Sequence, residues 1–458
     1  MIHAATSVSG PALVRWYTRN RERSRLLFDL LDPDVYYTRP IALRNPIVFY
    51  EGHLPAFSVI AFLNRGLGLP GLDGRLEALF ARGIDPDTEA TAIPRSGAGT
   101  RWPARDDVLA YGAGVDAAMR GAIERSFPPG DGRCDGLLER EALFTALEHE
   151  AMHQETLLYM WRRLPYATKR KPADVRYEIG GNPPRPARVA IPGGPATLGA
   201  RRDDIVFGWD NEFEALVVDV PPFEIDVHSV TNADFLAFMA DRGYDRAELW
   251  TPADWEWRTR EAVRHPVFWI ERGGAWQWRG MFEDIPLPAA WPVYVSQAEA
   301  SAYARWCGCR LPTEAEYHRA AFGTPQGSER ALPWAERADT IDDGRGNFDF
   351  EAWEPVPAGS RPGGASAWGV HDLIGNGWEW TSSVFEPFPG FRPMSSYPEY
   401  SADFFDTQHS VLKGASPATA RELIRRSFRN WFRPNYPYVY AKFRTVSTRQ
   451  AGERVGGD

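Results

Sequence analysis

Apolar positions follow two different rhythms along this chain. Up to about residue 175 they recur at helical intervals. In Leu13–Leu31 they alternate with a run of arginines, and Pro46–Leu67 repeats the pattern around His53, with Pro55 early in it. Arg105–Ser126 is a third such segment, with Asp106 and Asp107 suited to a first turn and Pro128 closing it. Glu139–Leu164 is the fourth. Four helices of this length predict a bundle. Residues Ala167–Arg188 carry Lys169, Arg170, Lys171, Pro172, Gly180, Gly181, Pro183, Pro184 and Pro186, which is linker chemistry. Beyond it the rhythm changes to short strand-like runs such as Leu216–Val220, each followed by turn residues. Only two helices stand out there, Asn232–Arg242 and Gln297–Cys307, the second led by Ser296 as an N-cap. The expected class is therefore multidomain: a helical bundle over residues 1–175, a linker at 176–188, and a loop-rich α+β domain over 189–450.

Composition adds limits. A chain of 458 residues suggests two or three domains. Hydrophobic residues at 43% and charged residues at 25% are an ordinary globular balance. A net charge of −9 argues against binding nucleic acid or a membrane surface. No apolar run reaches the roughly 18 residues that span a bilayer, and Met1–Thr6 lacks a basic segment before an apolar core, so no secretory signal is expected. Cys134, Cys307 and Cys309 make no disulfide framework and suit a reducing cytoplasm. The Cys307-Gly308-Cys309 pair reads as structural or incidental. Tryptophan occurs fifteen times after residue 200 and three times before it, so aromatic faces are concentrated in the second domain.

The sharpest chemical signal is Leu147-Glu148-His149-Glu150-Ala151-Met152-His153-Gln154-Glu155. Residues four apart share one face of a helix, about 5–6 Å apart at Cβ, so His149 and His153 can reach one metal ion. Imidazole suits iron, zinc and copper alike. Glu155 lies roughly 200° around from His153 by the helical period and is better placed to orient a ligand than to be one. His53, in Tyr50-Glu51-Gly52-His53-Leu54-Pro55, is a third imidazole on a different predicted helix. Three neutral imidazoles leave coordination positions open, which suits non-haem Fe(II), although the commoner facial set has a carboxylate as third ligand.

The second half resembles the formylglycine-generating-enzyme, or sulfatase-modifying-factor, fold. The matching pieces run in order from Ile191-Pro192-Gly193-Gly194 through Asp210-Asn211-Glu212, Val230-Thr231-Asn232-Ala233-Asp234-Phe235 and Arg310-Leu311-Pro312-Thr313-Glu314-Ala315-Glu316-Tyr317 to Gly375-Asn376-Gly377-Trp378-Glu379-Trp380-Thr381 and Lys442-Phe443-Arg444. Formylglycine-forming members bind copper through a cysteine pair near the C-terminus, and no cysteine follows Cys309 here. The first half resembles the DinB-like four-helix domain, whose three histidines bind one metal. The two joined in this order are similar to the iron-dependent sulfoxide synthases of ergothioneine and ovothiol biosynthesis and to selenoneine synthase. The resemblance implies a DinB-like bundle followed by a C-type-lectin-related α+β domain. It also implies His53, His149 and His153 as iron ligands, Glu155 behind them, and Fe(II) with O2 as co-substrate. The reaction implied is oxidative carbon–sulfur bond formation on a histidine derivative, typically hercynine (histidine betaine), giving a sulfoxide. Small-molecule substrates are the expected partners.

The resemblance also marks substrate positions and departures. Asn430 and Trp431 match contacts to the histidine derivative; Trp378 and Trp380 belong to a motif found throughout the fold. Relatives that use γ-glutamylcysteine place an acid directly after Asn-Trp and an arginine four residues beyond. Here those positions are Phe432 and Tyr436, which favours free cysteine or another small thiol or selenol. Arg426, Arg429 and Arg433 could each pair with a substrate carboxylate. Met152 stands where some relatives have glutamine. The tyrosine that some relatives hold near the iron has no clear match: Phe385 occupies that neighbourhood, and Tyr111 on the third helix is the candidate replacement. A carbon–selenium-forming enzyme, a thiol dioxygenase and a non-catalytic binding module are the alternatives.

Overall fold

The structure is a computed structural model of the whole chain and describes residues 9–81, 101–128, 136–337, 341 and 344–447. Cys134 lies outside them. The chain divides into two compact units.

The helical unit comprises residues up to Ala173 together with Pro393–Tyr400, a segment returned to it from far along the chain. Among the described residues its α-helices are α1 (Gly10–Asp29), α2 (Ile47–Ser58), α3 (Gly74–Leu79), α4 (Arg105–Ser126) and α5 (Leu137–Arg163). All twelve residues of α2 are buried, so it is the central helix of its unit. Pro55 inside it has no N–H for the helical ladder, and the helix widens to a π-helical stretch at Val59–Gly66. The stretch Ile47–Gly66 is long and apolar enough to cross a membrane by length and composition, contrary to the expectation from uninterrupted apolar runs. It is 89% buried, as the core helix of a folded unit is.

Buried polar groups set the register between α1, α4 and α5. Arg21 Nε meets Asp116 at 3.0 Å and its Nη1 meets Glu150 at 2.8 Å. Tyr17 donates to Asp116 and Ser24 to Glu150. Asn20 Nδ2 donates to the Leu147 carbonyl at 2.8 Å, and Gln154 Nε2 returns a bond to the Asn20 carbonyl at 2.9 Å. A slip of α5 by one residue would strand several of these groups without partners.

The second unit spans Asp174–Arg392 and residues from Ser401 on. β1 (Arg188–Ile191), β4 (Phe223–Asp226) and β12 (Val446–Ser447) form one sheet, in the order β1–β4–β12. β2 (Gly194–Leu198) pairs antiparallel with β3 (Leu216–Val220). β5 (Trp269–Arg272), β6 (Ala275–Arg279) and β7 (Asp284–Pro286) form a meander. The fourth sheet runs β10–β9–β8–β11, from Asn430–Phe432, Ser410–Ala415, Gly377–Val384 and Ala441–Lys442. Ile191, Phe223, Ile225, Tyr317, Phe322 and Leu373 belong to a shared core.

Among the described residues, four helices of more than one turn serve this unit: α6 (Asn232–Ala240), α7 (Pro252–Arg260), α8 (Gln297–Trp306) and α9 (Glu314–Phe322). The sequence reading anticipated only α6 and α8. The other two carry start signals of the same kind. Thr251 caps α7 with Pro252 at its first position, and Thr313 and Glu316 form a reciprocal capping box on α9. Neither shows an apolar stripe at helical spacing: α7 buries only Trp257, and α9 is buried on nearly every side, its charged residues included.

Candidate metal centre

Helix α5 carries His149 and His153 one turn apart, and α2 carries His53. The His53 Nε2 lies 3.3 Å from His149 Nε2, and His153 Nε2 lies 3.1 Å from the same atom. All three ligand nitrogens lie within 4.8 Å of one another. Two imidazoles bound to one ion by bonds of about 2.1 Å, at tetrahedral to right angles, would have their nitrogens roughly 3.0–3.4 Å apart. Both short separations fall in that range.

Each ring is held from behind. The His53 Nδ1–H donates to the Phe80 carbonyl at 2.8 Å, which leaves the lone pair on Nε2, facing the other histidines. Phe80 can come so close because residue 52 is glycine: a Cβ there would meet the Phe80 ring at 2.3 Å. Phe49 stacks on His53 at 4.9 Å and Phe57 on His149 at 3.5 Å, so residues 49, 53 and 57 form a Phe–His–Phe ladder at helical spacing. Tyr50 tilts over His153 at 5.8 Å. His53 and His149 are buried and His153 is half-buried, which leaves the approach to the cluster on the His153 side.

Burial drives all three imidazoles toward the neutral form. It lowers the pKa of His53 to about 4 and holds His149 and His153 well below the ordinary value, with the neighbouring histidines adding to it. Three unprotonated nitrogens converge on one point, and the Nδ1 atoms of His149 and His153 are buried without hydrogen-bond partners. Converging lone pairs repel one another unless a cation lies between them. The donor set therefore fits a divalent transition metal with open positions, and among the described residues it is the one cluster of three or more such side chains.

The returning segment 393–400 adds residues that the sequence reading missed. Tyr397 lies edge-on to Phe57 at 5.0 Å and to His149 at 6.2 Å between ring centroids. Tyr400 packs on Tyr397 at 5.8 Å and donates to the Met152 sulfur at 3.4 Å. Ser396 anchors the segment. Its N–H and hydroxyl donate to Glu141 at 2.9 Å, Thr145 bonds its hydroxyl, and Arg65 donates to its carbonyl. Tyr111, by contrast, is buried on α4 with its hydroxyl unpaired, and Glu77 and Asp73 lie near enough to push its pKa up beyond the effect of burial. The charged groups that act on it are thus the acidic residues Glu77 and Asp73. Glu155 is buried on α5, two residues after His153.

The substrate positions suggested for the second unit fall into two groups. Trp378 is 2% exposed and stacks on Phe428, and Trp380 is buried with its indole N–H on the Val295 carbonyl, so both are core. Arg429 is also turned inward: it lies between the rings of Phe385 and Phe388, donates to the Asn211 and Glu386 carbonyls, and stands 3.1 Å from Glu314. That placement corrects its reading as a carboxylate anchor. Arg426 pairs with Glu329 at 3.1 Å. Asn430, Trp431, Phe432 and Arg433 are half-buried on and just after β10. Trp431 is stacked on Phe385 at 4.2 Å with Phe404 at 5.6 Å, so Phe385 acts as a platform for it. Phe432 stacks on Tyr436 at 5.3 Å. Arg433 donates to Gln408 at 3.2 Å.

Comparison with known proteins agrees with this architecture. Residues 177–449 match the Sulfatase-modifying factor enzyme 1-like domain, and residues 17–157 match the DinB superfamily. The chain is 34% identical over 416 residues to a hercynine oxygenase of Mycolicibacterium thermoresistibile, covering 88% of this chain and 87% of that one. It is 41% identical over 249 residues to the hercynine oxygenase of Mycobacterium tuberculosis, covering 54% of this chain and 57% of the relative. It is 28% identical to ergothioneine biosynthesis protein 1 of Neurospora crassa over 91% of this chain, which spans about 55% of that longer protein. With a DinB-like helical unit carrying three convergent histidines and a sulfatase-modifying-factor-like unit after it, the chain belongs to the hercynine oxygenase family.

Proposed function

We propose that this protein is a sulfoxide synthase that uses Fe(II) and O2 to join a small thiol to the imidazole ring of hercynine. The observation that carries the reading is the convergence of the His53, His149 and His153 nitrogens beside Tyr397. The names of the relatives, hercynine oxygenase and ergothioneine biosynthesis protein, supply the substrate class. The net reaction takes a thiol, an imidazole C–H and O2 to an S-imidazolyl sulfoxide and water. A ferrous ion held by His53, His149 and His153 would supply a redox-active Lewis acid for this chemistry.

The protein's own groups do the rest. Burial keeps the three imidazoles unprotonated and able to ligate. The Phe80 carbonyl and the Phe49 and Phe57 rings hold their orientation. Tyr397, edge-on to His149, takes the proton-donor role first assigned to Tyr111, a role no phenylalanine can fill. Trp431, fixed by Phe385, presents an aromatic face suited to a trimethylammonium group, with Asn430 beside it. The aromatic pair Phe432 and Tyr436, standing where γ-glutamylcysteine users carry an acid and an arginine, supports free cysteine as donor, with Arg433 as the remaining arginine for its carboxylate.

The test is anaerobic reconstitution with Fe(II), then O2 uptake and product mass with hercynine plus cysteine, γ-glutamylcysteine or a selenol. Near-stoichiometric iron and a sulfoxide product from cysteine are expected. Less than about a tenth of an equivalent of iron, or inertness of every donor toward hercynine, would overturn the reading.

A further inference from the structure

A second reactive centre lies in the sulfatase-modifying-factor-like unit, at the end of α8. The helix stops at Trp306, and Gly308 takes φ +69°, a conformation that only glycine enters freely, with open space where a Cβ would be. The turn brings Cys309 back over the helix end: its N–H bonds the Ala304 carbonyl at 2.8 Å, and its sulfur sits 3.5 Å from the Cys307 carbonyl. Cys307 and Cys309 flank Gly308 in this turn, each sulfur against a carbonyl of the turn.

Their surroundings differ. The Arg188 guanidinium Nη2 reaches Cys309 Sγ at 2.9 Å. The same nitrogen donates to Thr445 Oγ1 at 3.0 Å, and Arg188 Nε pairs with Asp226 at 2.9 Å, so three contacts fix the cation against the sulfur. Cys307 instead donates to the Ala304 carbonyl at 3.2 Å, at the negative end of a helix, where a thiolate is disfavoured. Charge therefore settles on Cys309 and the proton on Cys307. In agreement, the hydrogen bond from Cys307 and then the Arg188 guanidinium lower the Cys309 pKa to about 5, while the same bond pushes Cys307 up. Cys307 is exposed, Cys309 half-buried, and Cys307, Arg188, Asp226 and Thr445 border an open cavity of about 420 Å³.

We propose that Cys307 and Cys309 form a dithiol that reacts with small hydroperoxides, with Cys309 as nucleophile and Cys307 as resolving thiol. The Cys309 thiolate attacks the terminal oxygen of ROOH; the S–O bond forms, the O–O bond breaks, and the alkoxide leaves as ROH after taking a proton from water. Cys307 then attacks the sulfenic sulfur through its own sulfur and gives up its proton; hydroxide is expelled and departs with that proton as water. Two thiols and one hydroperoxide become a disulfide, ROH and water, with two electrons passing from sulfur to oxygen. The centre uses none of the histidines and is independent of the proposed synthase reaction.

The experiment uses the reduced full chain with a chelator in the buffer, so that no ferrous iron turns peroxide into radicals, and one equivalent of H2O2. The tryptic peptide Trp306–Arg310 holds both cysteines and is expected to become lighter by two hydrogen masses, reversibly with dithiothreitol. In Cys307→Ser, dimedone is expected to label Cys309. In Arg188→Gln, alkylation of Cys309 by iodoacetamide at pH 6 is expected to slow by about tenfold. A peptide that keeps both thiols, a Cys307→Ser protein without a dimedone adduct on Cys309, or an Arg188→Gln protein with unchanged alkylation would each overturn the proposal.

Discussion

The His53 Nδ1–H donates to the Phe80 carbonyl at 2.8 Å, a bond that depends on the missing side chain at residue 52. Alanine favours helix over glycine by about 1 kcal/mol, so propensity alone predicts that Gly52→Ala stabilises α2. The new methyl would meet the Phe80 ring at 2.3–2.5 Å, and that clash decides the outcome. Gly52→Ala is expected to weaken Fe(II) binding by about 10–100-fold, the usual cost of losing a ligand's outer partner. Competition titration against a ferrous chelator would measure it, and unchanged affinity would refute the role given to Phe80.

Removing a proposed ligand should act on metal rather than on fold. His149→Ala and His153→Ala are expected to lose bound iron and hercynine-dependent O2 uptake, with far-UV circular dichroism unchanged. Wild-type uptake in either variant would contradict the ligand set.

Tyr397 and Tyr111 make opposite predictions. Tyr397→Phe should lower turnover by about 100-fold, a typical share for a positioned proton donor, at unchanged iron content. Tyr111→Phe should leave turnover nearly as it was, because the charged groups acting on Tyr111 are Glu77 and Asp73. Steady-state rates of the two variants would separate them.

Arg21 compensates two buried carboxylates, Asp116 and Glu150. Arg21→Met keeps much of the volume and removes the charge, and breaking a buried pair in this way costs about 3–5 kcal/mol. Urea denaturation followed by circular dichroism should show the midpoint falling accordingly. A change near zero would mean that Arg25, which also pairs with Asp116, suffices alone.

His318 gives the stability a pH dependence. Burial first, and then Lys413 and Arg426, hold it well below its ordinary value of 6.5; its Nδ1 bonds the Thr197 carbonyl at 3.0 Å, and its Nε2 is buried unpartnered. The unfolded chain therefore binds a proton that the folded chain refuses. The neutral-histidine contribution is fully present above pH 6.5 and is lost as pH falls below it. Between pH 6 and pH 5, His318→Gln should reduce the slope of unfolding free energy against pH by up to about 1.4 kcal/mol per unit. Parallel slopes for wild type and variant would count against the assignment.

Where the chain carries long periodic signals, the sequence was a sufficient guide. The four long helices of the first unit, the strand Leu216–Val220 and the shared face of His149 and His153 follow from spacing, because a helix or strand repeats its geometry over many residues; the six-residue helix Gly74–Leu79 was not anticipated. His53 was legible as a third imidazole on another predicted helix, and the resemblance gave it the role of ligand. Glu314–Phe322 escaped because it is buried on nearly every side and so carries charged residues where an apolar stripe would be read, although the capping box at Thr313 was there to be read.

Other decisions belonged to tertiary structure. Nothing periodic marks Pro393–Tyr400, yet its fold places Tyr397 against a histidine nearly 250 residues earlier in the chain. Arg429 looked like a substrate anchor until its partners, Glu386, Asn211 and Glu314, proved to lie inside its own unit. Cys307 and Cys309 looked incidental until Arg188, more than a hundred residues away, was found against the sulfur. A local pattern can state which face of an element a residue occupies. What meets that face depends on how distant segments close upon one another, and that is settled by packing and by the pairing of buried polar groups.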